Sequence, residues 1–171
     1  MMKKIFLGAL ALISSSLVLA DYPERSIRLV VPFATGGTSE IVARSVANSL
    51  STSLGQSVYV DNKPGGAGNI AMEEVKRANP DGYTLILGHV GTLAVNPALF
   101  GKKLPYDPNK DFAPVTLVAK VPNVIAVSEK SKYKTLADLV TDAKKNPGKI
   151  NYGSAGNGSA GHLAKIGRAH V

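Results

Sequence analysis

The sequence contains no cysteine, no tryptophan and only three histidines among its 171 residues. Without cysteine there is no disulfide framework, no thiolate zinc site and no iron-sulfur cluster, and histidines scattered at positions 89, 162 and 170 argue against a histidine-built metal site. Acidic side chains are also scarce, with 12 Asp plus Glu against 20 Lys plus Arg and a formal net charge of +8. The lysines come singly or in pairs (Lys102-Lys103, Lys144-Lys145), with no run of five and no interleaved aromatics. The excess therefore reads as a solvated surface rather than a nucleic-acid footprint, although a positive field favours capture of small anions. What remains is 44% apolar residues with 17 Gly and ten Pro, an ordinary globular composition long enough for one core and part of a second.

Residues 1–20 read as a cleavable secretory signal. Met1 to Lys4 is a basic start, Ile5 to Ile13 an apolar run, and Val18-Leu19-Ala20 a small-residue cleavage site before Asp21. Ser14 to Ser16 interrupt a run already too short to span a bilayer. No cysteine follows the cleavage site, so a lipid-anchored form is excluded. Removal of Lys3 and Lys4 leaves 18 basic and 12 acidic side chains.

The rest alternates strand and helix signals. Ser26 to Pro32 reads as a strand, Phe33 to Thr38 as a Gly-rich loop, and Ser39 to Ser53 as a helix, with Ile41, Val42, Val46 and Leu50 at helical spacing. Ser57 to Val60 is a second strand, followed by the loop Lys63 to Asn69 and a helix through Arg77 that Asn79-Pro80-Asp81-Gly82 ends; Tyr83 to Leu87 is a third strand. This order predicts an α/β fold with a mostly parallel sheet, right-handed crossovers and ligand bound beyond the carboxyl ends of the strands. Asn96 to Phe100 reads as one helical turn and Leu104 to Pro108 as a proline-stiffened connector. Strands are expected at Val115–Ala119, Asn123–Val127 and Ile150–Tyr152. Between them, a helix capped by Thr135 is expected to run to Lys145, where Asn146-Pro147-Gly148 closes it.

Three Gly-rich loops precede helices: Thr35-Gly36-Gly37-Thr38-Ser39, Gly65-Gly66-Ala67-Gly68-Asn69 and Gly153 to Ser159. Glycine admits close backbone approach, and the free N–H groups at a helix start attract an anion. Hydroxyls of Thr35, Ser39, Ser154 and Ser159 add neutral donors. Gly156-Asn157-Gly158-Ser159-Ala160-Gly161 also satisfies the dinucleotide pattern, so a nucleotide-dependent enzyme is the competing reading. It lacks a ribose-binding acid on a following strand, Gly101-Lys102 and Gly148-Lys149 lack the Ser/Thr of a Walker motif, and no nucleophile elbow occurs. Glu40 suits the first turn of its helix, Asp81, Asp107 and Asp111 belong to turns, and His89 and His162 stand apart. No base, nucleophile and orienting acid are grouped, so binding without catalysis is expected, with no cofactor and no metal.

Six segments carry a family resemblance: Pro32 to Gly37, Asn62 to Gly65, Pro80 to Leu85, Leu104 to Pro108, Lys110 to Val115 and Asn151 to Ser159. In order and content they resemble the substrate-binding proteins of tripartite tricarboxylate transporters, the Bug family, from about Pro23 to about Ala164. The resemblance implies a type II periplasmic-binding-protein fold, two α/β domains closing like a flytrap on a small carboxylate. It also implies a periplasmic receptor that hands ligand to a two-component membrane permease; a monomer is expected, and presentation of the bound carboxylate to a membrane sensor kinase by the same pocket is a competing reading. Carried over residue by residue, the pocket comprises Phe33, Thr35, Gly36, Gly37, Ser39 and Glu40 in the first loop. Gly68, Asn69 and Thr92 complete the wall, and Ser154, Ala155, Gly156 and Ser159 face them from the second domain.

Two departures accompany the resemblance. Glu40 stands where the family commonly has Asp, so a ligand cannot be copied from any relative. Family members are also about twice as long. The expected organisation is a signal at 1–20, a first α/β domain over 21–114, the start of a second over 115–165 and a non-native tail at 166–171. Ile166-Gly167-Arg168-Ala169-His170-Val171 is what a common sequencing-library adapter encodes in this frame, and finding the six codons in genomic DNA would remove that reading. A chain of this extent is expected to expose sheet edges and apolar faces.

Overall fold

A computed structural model of the chain describes residues 22–154 and 159–166. The expected signal, part of the third Gly-rich loop and most of the expected non-native tail lie outside the described residues.

Strand β1 (Ile27–Val31) is flanked in parallel by β2 (Val58–Asn62) and β3 (Thr84–Ile86), giving the order β2-β1-β3. Ile27 stands opposite Val58 and Val31 opposite Asn62, while Arg28 to Val30 face Thr84 to Ile86. A central parallel strand is covered on both faces and must be apolar on both. Ile27, Leu29, Val30 and Val31 are accordingly all buried, each contributing about 1.5–3 kcal/mol by removal from water.

The two crossover helices cover opposite faces. On one, Ile27, Leu29 and Val31 pack with Ala43 and Ala47 of α1 (Thr38–Leu54) and with Val58. On the other, the Arg28 guanidinium meets Asp61 of β2 and Glu74 of α2 (Asn69–Lys76), each at 2.5 Å. Tyr22 donates to the Gly82 carbonyl at 2.8 Å, and Arg25 pairs with Asp81 while lying 3.9 Å from the Tyr83 ring centre. These contacts fasten the segment before β1 to the turn before β3.

After β3 the chain forms a π-helical turn (Gly91–Val95) that runs into α3 (Asn96–Phe100), the helical turn expected there. The proline connector is held across α2, where Lys76 Nζ donates to Pro105 O at 3.1 Å and pairs with Asp111 at 2.9 Å. Tyr106 is buried and packs edge-to-face on Phe112.

Beyond Phe112 the structure corrects the sequence reading. Val115–Ala119, Asn123–Val127 and Ile150–Tyr152 are not strands, and Val115 and Val124 are each 82% exposed. Their branched side chains favour extended backbone, but a strand needs a ladder partner, and none is present among the described residues. Helix α4 (Leu136–Lys145) does form as expected. Thr135 accepts from the Asp138 amide and Asp138 from the Thr135 amide, a reciprocal cap that needs no tertiary support. Helix α5 (Ala160–Ile166) follows the third Gly-rich loop.

Candidate functional site

All three strands run the same way, so the loops that leave their carboxyl ends gather along one edge of the sheet. The contacts bear this out. A side chain on Gly68 would put its Cβ 2.6 Å from Thr92 Cγ2 and 3.2 Å from Pro32 Cβ, so one residue from each loop meets at a point that only glycine fits. Gly68 also has φ of +86°, a left-handed conformation disfavoured for other residues. Nearby, Asn62 Nδ2 donates to the Phe33 carbonyl at 3.0 Å, and the Phe33 ring meets His89 edge-to-face at 4.9 Å. Residues 33–39, 65–69 and 88–92 include no Lys, Arg, Asp or Glu.

The first loop is held by the helix it precedes. Gly36 (φ +84°) donates its N–H to Glu40 Oε2 at 2.5 Å, and Glu40 Oε1 accepts from Arg44 Nε at 2.7 Å. The Gly36 N–H, and after it Arg44, hold the Glu40 carboxyl below the usual carboxylate range. Glu40 is buried with both oxygens engaged, and acts as a brace of the loop. The N-cap of α1 is Gly37, which supplies no side-chain acceptor, while its carbonyl accepts from the Glu40 and Ile41 amides. The Thr38 and Ser39 amides are thus first-turn donors with no intrahelical acceptor, at the positive end of a 17-residue helix.

Beneath the loops lies a buried polar floor. Asn96, 1% exposed, donates from Nδ2 to Ala67 O at 3.0 Å and to Asn69 Oδ1 at 2.7 Å, tying the second loop to the start of α3. The Tyr106 hydroxyl donates to Thr92 O at 2.6 Å. Burial pushes the Tyr106 phenol up, which keeps the donor protonated. Thr92 is fully buried, and its hydroxyl donates to His89 O at 3.0 Å and accepts from His89 N at 3.2 Å. It pins its own turn.

The sequence-predicted residues therefore divide. Phe33, Thr35, Gly36, Gly37, Ser39, Gly68 and Asn69 come together at the sheet edge, with Thr35 exposed and Ser39 half-buried. Glu40 and Thr92 are there but spend their polar atoms on the loops themselves. Ser154 is exposed; Ala155 and Gly156 lie outside the described residues. Ser159 is buried and its Oγ accepts from the His162 amide at 3.3 Å, a cap for α5. No described hydrogen bond joins Ser154 or Ser159 to the other three loops.

Sequence reasoning missed Asn96 and Tyr106 as supports of the site. The Leu104-Pro105-Tyr106-Asp107-Pro108 segment reads only as a stiff connector, and nothing in its local pattern marks the phenol as a support. It delivers one phenol beneath the loops.

With this geometry in view, the family described as the tripartite tricarboxylate transporter family receptor matches the chain over residues 42–167. The chain belongs to that receptor family. Curated relatives from Pseudomonas, Bordetella pertussis and Agrobacterium vitis are 38%, 36% and 42% identical over 84%, 95% and 84% of the chain. The chain in turn covers 42%, 50% and 41% of those relatives, so it spans about half their length or less. A solved periplasmic transporter is 48% identical with a TM-score of 0.83, over 87% of this chain and 50% of its own. A protein of R. palustris solved with adipate is 42% identical with a TM-score of 0.79 (85% and 48% covered). MatC from Rhodopseudomonas palustris with bound malate is 36% identical with a TM-score of 0.76 (85% and 49%). The α/β fold of type II periplasmic binding proteins, expected from the motifs, is the fold of this chain over the half that it spans.

Proposed function

We propose that this receptor-family chain contributes the first-domain half of a carboxylate site in a periplasmic solute receptor. One observation carries the reading: the charge-free loops that follow β1, β2 and β3 converge beside the uncapped amino end of α1, at the carboxyl edge of a parallel sheet. Backbone N–H groups of Gly37, Thr38 and Ser39, with the Thr35 and Ser39 hydroxyls, suit a carboxylate without needing a cation. The adipate and malate held by two solved relatives support the same ligand class here.

In the complete receptor, Ser154 to Ser159 would close on the ligand from a second domain beginning near residue 115. Residues 1–20 would direct export and be removed after Ala20. The receptor would work as a monomer, without cofactor or catalysis, and deliver its ligand to a two-component permease.

The test is a thermal-shift screen of the mature chain, completed with its native downstream sequence, against di- and tricarboxylates, amino acids and aromatic acids, with nucleotides as controls. A midpoint raised by a carboxylate, and no longer raised in Gly37→Val, supports the reading. Silence toward every carboxylate with a response to a nucleotide would replace it by the enzyme alternative.

A further inference from the structure

Among the described residues, His89 stands at the meeting point of the loops with one of its two ring nitrogens engaged. It lies three residues past the end of β3, at the carboxyl edge of the sheet, and packs edge-to-face on Phe33 at 4.9 Å. Phe33 opens the loop that leads to the uncapped end of α1. The Gly91 N–H donates to Nδ1 of the imidazole at 2.9 Å. An Nδ1 that accepts cannot carry the proton of a neutral ring, so the proton sits on Nε2. Burial pushes the imidazole below its ordinary range, which keeps it in that neutral tautomer at pH 7. Nε2–H has no acceptor among the described residues.

Resting on the receptor reading above, we infer that His89 is a specificity-determining residue whose Nε2–H donates to an oxygen of the bound carboxylate. The loops around it offer backbone amides and hydroxyls, and a half-buried neutral N–H adds a directional donor to that set without adding a charge. Such a donor favours a ligand with an acceptor oxygen at that place and penalises an analogue with a methyl group there, because the N–H would be left unpaired on closure.

Two isosteric variants separate this role from loop support. In His89→Asn the Oδ1 atom takes the place of Nδ1 and keeps the acceptor for Gly91 N–H, but the far donor is lost. In His89→Gln the Nε2 amide replaces the far donor, and the acceptor for Gly91 is lost. Calorimetric titration of the full chain with adipate and with malate is expected to show binding weakened about tenfold or more in His89→Asn and within about threefold of the original in His89→Gln. The opposite pattern, or equal binding by all three proteins, overturns the inference.

A second readout frees the test from the choice of ligand. In ¹⁵N spectra of the unmodified chain, acetate, adipate or malate is expected to shift the His89 Nε2 resonance. A response of the Gly37, Thr38 and Ser39 amides with His89 unmoved removes His89 and leaves the receptor reading standing. Silence at both removes both.

Discussion

Residues 22–112 and 113–154 are built from similar material and end up in different states. Each contains runs rich in valine, isoleucine and leucine, yet Val30 is fully buried between two parallel neighbours whereas Val115 and Val124 are 82% exposed with none. The helices make the same point in reverse. Helix α1 lacks a side-chain cap and is held by Ala43 and Ala47 against the sheet, while α4 buries no residue and is held by its own capping box. Elements coded by neighbours a few residues away form wherever they are; those coded by distant partners form only where the partners are.

The largest test of that contrast is truncation in matched places. Ile27→Ala should destabilise the chain by about 2–5 kcal/mol in urea unfolding, and Val124→Ala by under about 0.5 kcal/mol. Comparable losses would show that residues 113–127 are packed in solution. Two left-handed glycines sharpen the comparison at the next scale. Gly68→Ala adds a clash with Thr92 and Pro32 to its backbone strain and should cost about 2–4 kcal/mol along with the carboxylate response; Gly148→Ala meets open space and should cost about 1 kcal/mol.

Cap removal should work the other way round. Thr135→Ala is expected to cost α4 about 1 kcal/mol, read as lost helical circular dichroism, while Thr38→Ala in α1 changes helicity little. The smallest effect is a titration in the open region. Tyr133 OH, then Lys132 and Asn146, lower the Asp142 carboxyl to about 2. A carboxyl whose pKa is depressed on folding adds stability above its unfolded value, and that contribution fades as pH falls through about 2. The Asp142 carboxyl carbon should therefore titrate near pH 2, and Tyr133→Phe should move it upward.

Much of the fold was legible in the sequence, in the packed region and in α4 alike. The Ser26 to Pro32 run, the Gly-rich loops and the caps at Thr135 and Asn146 are local patterns, and their elements appear within one or two residues of the expected positions. At the site, the same local signals picked out Phe33 to Ser39 and Gly68-Asn69. They did not reveal that Glu40 turns back onto Gly36, that Thr92 spends its hydroxyl on His89, or that Asn96 and Tyr106 form the floor. Each of these depends on which side chain lies across a gap of several residues or a whole loop, and no periodicity records that.

Periodicity, caps and glycine placement were enough to specify the α/β order and the loops between its elements, because each rests on the stereochemistry of a few adjacent residues, and the strand–helix alternation then implied parallel strands. The motifs were enough to specify the family. Packing alone decided that Gly68 must touch Thr92 and Pro32, that the His89 proton sits on Nε2, and that Val115 to Val127 stay unpaired. Those outcomes depend on free energy shared between residues far apart in the chain, and such sharing has no value until the chain has folded.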